Sequence, residues 1–125
     1  MRSLACLVLL SAAALAADLA VTVDNVKRRS AYKFLTWARQ AAAAELHATA
    51  RRFYERALEL DSDHRIARRK LGFKRALGRW QRDKQVEREV LARKDADPKL
   101  AKQYARTMEL LEEEHLHEVV RVCRK

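Results

Sequence analysis

The chain has 125 residues, carries a formal net charge of +10 and is rich in Ala, Leu, Arg, Lys and Glu. Only 2 glycines, 1 proline and 2 cysteines are present. Because chain breakers are scarce and strong helix formers dominate, the composition predicts an all-α fold. It also excludes a glycine-rich phosphate-binding loop and a fold held together by several disulfides.

The N-terminus has the three parts of a secretory signal peptide: a positive charge, an apolar stretch at 4–10, and small residues leading to Ala16. Asp18 interrupts the apolar run before it reaches the roughly 20 residues that a membrane-spanning helix needs. We therefore expect residues 1–17 to be removed by cleavage after Ala16 or Ala17. The protein would then be exported to the periplasm or the extracellular space.

Cys123 is the cysteine that remains after removal of this signal peptide. A single cysteine cannot form an internal disulfide, so the stability of the fold must come from helix packing. Two interpretations of Cys123 stay open. We favour a small hydrophobic residue buried near the C-terminus, and the alternative is a free thiol able to form an intermolecular disulfide.

Two helices are predicted in the first half of the remaining chain. Residues 18–30 form a polar lead-in, and Ser30 is the predicted N-cap of a helix over 31–44. Apolar residues recur at steps of three and four through this helix and through a second one, over 46–60, which stops at the sequence DSDH. Periodicity alone would also allow one long helix, because the apolar stripe passes Glu45 without a change of phase.

A third helix is predicted over 64–77, with Ser62 or Asp63 as its N-cap and Gly78 at its end. Leu77 would be one of the residues that this helix turns inward. No stretch of the chain after the signal peptide offers a convincing strand except LAVTV, near the N-terminus.

Two further helices are predicted towards the C-terminus. The first runs over 82–93. The second begins at Pro98, a residue favoured at the first helical position, and has Asp97 as its N-cap. It continues almost to the end of the chain, and its apolar side is formed by Leu100, Tyr104, Met108, Leu111, Val119 and Val122.

Large and small residues recur through 31–72 at the spacing of a helix–turn–helix repeat. The large ones, which would fill the space between helices, are Phe34, Trp37, Tyr54 and Leu71. The small ones, which would let helices approach closely, are Ala38, Ala50, Ala57 and Gly72. With the ending ALELDSD, the segment 31–64 resembles a tetratricopeptide repeat, a unit of about 34 residues.

The resemblance implies antiparallel helix pairs, with a repeat-like unit over 31–82 and the C-terminal helices over 83–125 as caps. The sequence DHRIARRKLGFKRALGRW is also similar to exported bacterial repeat proteins, in which a Gly-x-Trp turn closes the unit. Two features depart from the family: Glu45 stands where a turn glycine is expected, and the pattern breaks off after Gly72. The resemblance implies a module for protein–protein interaction or scaffolding.

The segment 65–94 contains 12 basic and 3 acidic residues, and it therefore holds most of the excess positive charge. The candidate partner-binding residues are five of its cations and one tryptophan: Arg68, Arg69, Lys74, Arg75, Arg79 and Trp80. They would offer charge to an acidic protein. Alternatively, the segment binds an anionic polymer or the surface of an envelope or membrane, and nucleic acid is disfavoured for an exported protein. The same pattern also fits a solvated helix face, with Trp80 packed at a turn.

The sequence LEEEHLHEVV contains the Glu-x-x-His spacing of helical di-iron sites, in Glu112 with His115 and in Glu114 with His117. Such a site needs a second pair on facing helices, and neither of the other histidines has this spacing. A charged exterior face explains the pattern better. No nucleophile lies beside a base in the sequence. We therefore expect a non-enzymatic module without a metal or cofactor, and its oligomeric state stays open.

Overall fold

The computed structural model describes the backbone of residues 2–124 and the side chains of residues 11–124. Within this part, the chain forms helices and one two-stranded antiparallel sheet. In chain order, these elements are α1 (Arg2–Ala43), α2 (His47–Leu60), α3 (Arg65–Lys70), β1 (Phe73–Ala76), β2 (Arg79–Arg82), α4 (Lys84–Ala92) and α5 (Pro98–Cys123). The predicted all-α class is confirmed, with the small sheet as an addition.

The hydrophobic core lies between α1, α2 and α5. α1 and α2 form an antiparallel helical hairpin, as predicted for 31–60. α5 runs antiparallel to α1, because Ser30 contacts His115 at one level while Trp37 contacts Tyr104 at another. The C-terminal helix therefore completes the core that the first two helices leave open.

Aromatic rings from all three helices meet in this core. The ring centroids of Phe34 and Phe53 lie 6.3 Å apart, and the Tyr104 ring lies edge-on to Phe53 at 6.4 Å and to Trp37 at 5.8 Å. Among the residues predicted to pack the repeat, the buried ones are Phe34, Ala38, Ala50, Tyr54, Ala57 and Gly72, and the half-buried ones Trp37 and Leu71. Buried alanines on both helices let α1 and α2 approach closely.

α1 and α2 are separated by a tight turn. Glu45 adopts a φ of +60°, the left-handed conformation that glycine usually supplies, and the next residue, Leu46, is fully buried. No side chain of the turn caps α2. The carboxylate of Asp95 does so from a distant loop, by accepting hydrogen bonds from the Thr49 amide at 3.0 Å and the Thr49 hydroxyl at 2.7 Å. This contact ties the loop before α5 to the start of α2.

The predicted start of the first helix at Ser30 is wrong. α1 begins at Arg2 and continues through the predicted lead-in, so that LAVTV is helical and does not form a strand. Ser30 is buried within the helix, and its hydroxyl is hydrogen-bonded to His115. The predicted apolar part of the signal peptide, 4–10, lies outside the residues whose side chains are described. Over 11–124, no helix has an apolar stretch long enough to cross a membrane.

The predicted helix over 64–77 is wrong beyond its first turns. α3 ends at Lys70, and Gly72 adopts a φ of +94°, which ends helical geometry. A two-residue turn then joins β1 to β2, with φ values of +53° at Leu77 and +75° at Gly78, the pattern of a type I′ turn. Leu77 is 98% exposed at this turn and does not point inward.

The predicted N-caps agree with the structure at one of three places, since Ser30 lies inside α1. Asp97 accepts hydrogen bonds from the amides of Lys99 and Leu100, and Pro98 occupies the first turn, as predicted. At α3 the cap is wrong, because His64 accepts the bond from the Ala67 amide where Ser62 or Asp63 was expected.

Two further expectations concern the C-terminal part. α4 begins two residues later than predicted, at Lys84, because Arg82 ends β2 and Asp83 caps the helix through the amides of Gln85 and Val86. Cys123 is exposed, so the expectation that it is buried is wrong.

Candidate binding surface

The β1–β2 hairpin concentrates arginine and aromatic side chains on one face. In the register Phe73 pairs with Arg82 and Arg75 pairs with Trp80, and cross-strand partners share a face. The guanidinium of Arg75 lies 5.9 Å from the centre of the Trp80 ring, and that of Arg82 lies 5.7 Å from the Phe73 ring. Arg68 of α3 lies 4.7 Å from the same Phe73 ring. These contacts place the cations beside the faces of the aromatic rings, where the ring electrons attract them.

All six predicted partner-binding residues lie on or beside this hairpin, but they do not form one patch. Arg69, Lys74 and Arg75 line a surface hollow of about 410 Å³ that also includes Phe73. Arg68 lies over Phe73 and donates a hydrogen bond to the Ser62 carbonyl at 2.8 Å. The predicted solvated helix face is therefore wrong, since most of these residues belong to the hairpin.

The remaining two predicted residues, Arg79 and Trp80, begin β2. Trp80 is half-buried and is close to the turn, as expected for a packed turn residue. Arg79 is exposed and pairs with Ala76 across the hairpin. These residues lie at the turn end of the hairpin, away from α3.

The hairpin cations differ in their electrostatic partners. Lys74 lies 3.6 Å from the carboxylate of Asp83, and Arg82 lies 3.3 Å from that of Glu87. Within residues 11–124, Arg75 and Arg79 have no carboxylate at ion-pair distance. The positive charge available to a ligand is therefore greatest towards the turn of the hairpin.

A groove of about 280 Å³ lies between α2, the hairpin and α4. Its apolar wall is formed by Leu58, Leu71, Phe73, Val90 and Leu91, and its charged wall by Arg51, Arg82, Glu55, Glu59 and Glu87. Leu91 is 56% exposed at the edge of α4. The groove is thus an apolar surface bordered by charges of both signs.

Several charges around the groove already have partners within the protein. Arg51 lies 3.7 Å from Glu55 within α2 and donates a hydrogen bond to the Leu91 carbonyl at 3.3 Å, which joins α2 to α4. Such exposed pairs contribute little to stability. They leave the apolar wall as the main source of binding energy for a ligand.

The groove was missed by sequence reasoning. Leu58, Val90 and Leu91 come from helices that are distant in the sequence. The first strand of the hairpin that closes the groove is predicted as helix, and the second as the connection that follows Gly78. The available signal was the apolar face of α4, formed by Val86, Val90 and Leu91, because no residue of α4 is fully buried within the fold.

Ser30 and His115 form a pair that the sequence did not reveal. The Ser30 hydroxyl lies 2.6 Å from Nδ1 of His115, a distance suited to a nucleophile and its base. Ser30 is buried, however, and the pocket beside the pair has no volume that a water molecule could enter. Burial, followed by the positive charge of Arg56, lowers the pKa of His115 below its ordinary value of 6.5. The pair is therefore a contact that joins α5 to α1.

Of the Glu-x-x-His residues of α5, Glu112 and His115 are half-buried against the other helices, whereas Glu114 lies on the expected exterior face. Arg56 of α2 donates two hydrogen bonds to Glu112, at 2.5 and 3.0 Å, and Lys33 of α1 pairs with Glu114. His117 is exposed. Over residues 11–124, no three His, Cys, Asp or Glu side chains are grouped so that they could hold a metal ion.

Comparison with family models, with curated proteins and with solved structures found no match to this chain.

Proposed function

We propose that this chain is an exported, non-enzymatic module that binds a protein partner through the groove between α2, the hairpin and α4. The observation that carries the proposal is the composition of the groove. It combines an apolar wall with a space of about 280 Å³, which suits one or two apolar side chains of a partner. The resemblance of residues 31–64 to tetratricopeptide repeats supports the same class of function.

The apolar wall offers binding energy that the fold leaves unused. Leu91 is 56% exposed, and Val90 and Phe73 beside it are half-buried. Covering this surface with an apolar side chain would contribute about 25 cal/mol for each Å² removed from water. A single anchoring residue on the partner would therefore supply most of the affinity.

The neighbouring charges indicate what surrounds that anchor. Phe73 lines both the groove and the basic hollow that contains Arg69, Lys74 and Arg75. A segment anchored in the groove would pass over Phe73 and place its next residues among these cations. We therefore infer that the partner segment carries an apolar anchor followed by acidic residues.

Selection of peptides from a random displayed library against the full chain would test this function. Selected peptides should share an apolar residue next to acidic ones. Leu91→Glu should weaken their binding about tenfold or more, because it places a charge in the apolar wall. Leu116→Glu is the matched control, since Leu116 is 61% exposed on α5, outside the groove.

Raising the salt concentration should weaken the binding of these peptides only partly, because the anchoring contact is apolar. Peptides that bind equally well to the Leu91→Glu and Leu116→Glu variants would contradict the groove as the binding site. If every peptide lost its binding completely at moderate salt, an apolar anchor would be contradicted.

A further inference from the structure

The turn of the β1–β2 hairpin presents an apolar side chain to solvent. Leu77 is 98% exposed, the highest value among the exposed large apolar residues over 11–124. It also adopts a φ of +53°, a conformation that residues other than Gly, Asn and Asp rarely take. Asn-Gly is the preferred pair for such a turn, whereas this chain has Leu77-Gly78.

A leucine at this place contributes nothing to the fold. Its side chain has no protein surface to pack against, and its backbone conformation is strained. Strain and apolar exposure at a single residue point to a contact outside the chain. The ligand of that contact must offer Leu77 an apolar environment.

The groups around Leu77 are those of a membrane-surface element. Arg75 and Arg79, the hairpin cations without a carboxylate partner in the described part of the chain, flank the turn. Trp80, a residue type favoured at the boundary between water and lipid, lies beside them. The strands have four residues each, so the turn lies roughly 13 Å from the base of the hairpin.

We propose that the β1–β2 hairpin docks the protein on an anionic lipid bilayer. Leu77 enters the boundary between headgroups and acyl chains, while Arg75 and Arg79 bind the headgroup phosphates. A nucleic acid would use the cations but offers little to an exposed leucine at the tip, so the apolar turn favours lipid. This surface differs from the groove, because Leu77 and Arg79 do not line it. Arg75 is shared with the hollow beside the groove.

The test needs a readout that is local to the hairpin, because the apolar N-terminal stretch of the full chain would itself bind lipid. The chain has 2 tryptophans, so the full chain with Trp37→Phe reports on Trp80 alone. Vesicles of phosphatidylcholine mixed with brominated phosphatidylglycerol should quench the Trp80 emission. Vesicles of phosphatidylcholine and brominated phosphatidylcholine should quench it far less.

Two substitutions in this background should raise the lipid concentration needed for half-maximal quenching. Leu77→Asn should raise it about tenfold, because the inserted side chain is lost while asparagine suits the turn. Arg79→Gln should raise it about fivefold, the contribution of one cation near an anionic surface. The matched controls Leu116→Asn and Arg52→Gln, exposed residues on α5 and α2, should leave it unchanged.

Three outcomes would overturn the proposal. The first is the absence of quenching by anionic vesicles, and the second is equal quenching of the parent and the Leu77→Asn variant. The third is a Trp80 response to a single-stranded oligonucleotide but not to vesicles, which would assign the hairpin to nucleic acid. None of these outcomes bears on peptide binding in the groove.

Discussion

Replacing each glycine of the hairpin region with alanine should have very different effects. Both residues have positive φ, +94° at Gly72 and +75° at Gly78. A Cβ at Gly78 would meet nothing within 4 Å, so Gly78→Ala should lower stability only through the strain of its positive φ. A Cβ at Gly72 would lie 3.0 Å from the Glu87 amide nitrogen and 3.2 Å from the Glu87 Cα, both in the backbone of α4.

These differences can be expressed as free energies. An alanine forced to positive φ costs about 1–2 kcal/mol, offset by about 0.4–1 kcal/mol because alanine restricts the unfolded chain. Gly78→Ala should therefore destabilise the hairpin by about 1 kcal/mol. At Gly72 the clash adds about 1–3 kcal/mol, because the α4 backbone must move away. The total for Gly72→Ala is then about 3 kcal/mol.

Hydrogen–deuterium exchange followed by mass spectrometry is the suitable assay, because it reports on residues 73–92 separately from the core. Protection of this segment should fall about fivefold in Gly78→Ala and about a hundredfold in Gly72→Ala, the free-energy losses above converted to population ratios. Peptides from α1 should change little in either variant. Equal losses of protection in the two variants would refute the argument that Gly72 is required by the close approach of α4.

Three further predictions concern other parts of the chain. Asp95→Ala should lower the free energy of unfolding by about 2 kcal/mol in urea denaturation, because the buried Thr49 loses both hydrogen bonds to the carboxylate; a loss below about 0.5 kcal/mol would contradict this role. Because burial lowers the pKa of His115, the unfolded chain takes up its proton first, and stability should fall as the pH drops from about 6.5 through the folded pKa. His115→Gln should remove this part of the pH dependence, and an unchanged profile would contradict it. N-terminal sequencing of the protein from the culture medium or periplasm should find Ala17 or Asp18 first, whereas an intact N-terminus there would contradict signal cleavage.

The helical core could be predicted because its signals are local. α5 starts where Asp97 and Pro98 were expected to start it, since both act within one turn of the chain. α2 ends at Leu60, and its apolar stripe faces the core. Helix identity therefore followed from the spacing of apolar residues and from breakers in the same segment.

Contacts between distant residues could not be predicted in this way. Ser30 has the residue type of an N-cap, yet it lies inside α1 and bonds with His115, 85 positions along the chain. The start of α2 has no capping side chain of its own, and Asp95 supplies the acceptor from another loop. A short polar side chain that is able to cap one helix is equally able to join two, and only the tertiary packing decides between these uses.

The hairpin was missed because its residues also favour a helix. Arg65 to Leu77 contains mostly strong helix formers, and a lone glycine inside such a run costs only about 1 kcal/mol. The segment forms a hairpin and not a longer helix because Gly72 packs closely against Glu87. This contact ends α3, and it cannot be predicted from the local sequence. The basic character of this segment could therefore be predicted from the sequence, but the arrangement of the six candidate residues could not.

The effect of Leu77→Asn on stability has opposite signs if this segment is a helix and if it is a hairpin. If Leu77 were an inward residue of a helix, Leu77→Asn would destabilise the protein by about 2 kcal/mol or more, through lost burial and lower helix propensity. In the hairpin, the exposed side chain loses no contact, and asparagine tolerates the positive φ better than leucine does. Leu77→Asn should therefore raise the protection of residues 73–82 by about twofold in hydrogen exchange, a gain of roughly 0.5 kcal/mol. A marked loss of protection would instead support the helical interpretation. The exposed apolar turn, on which membrane docking depends, would then not exist.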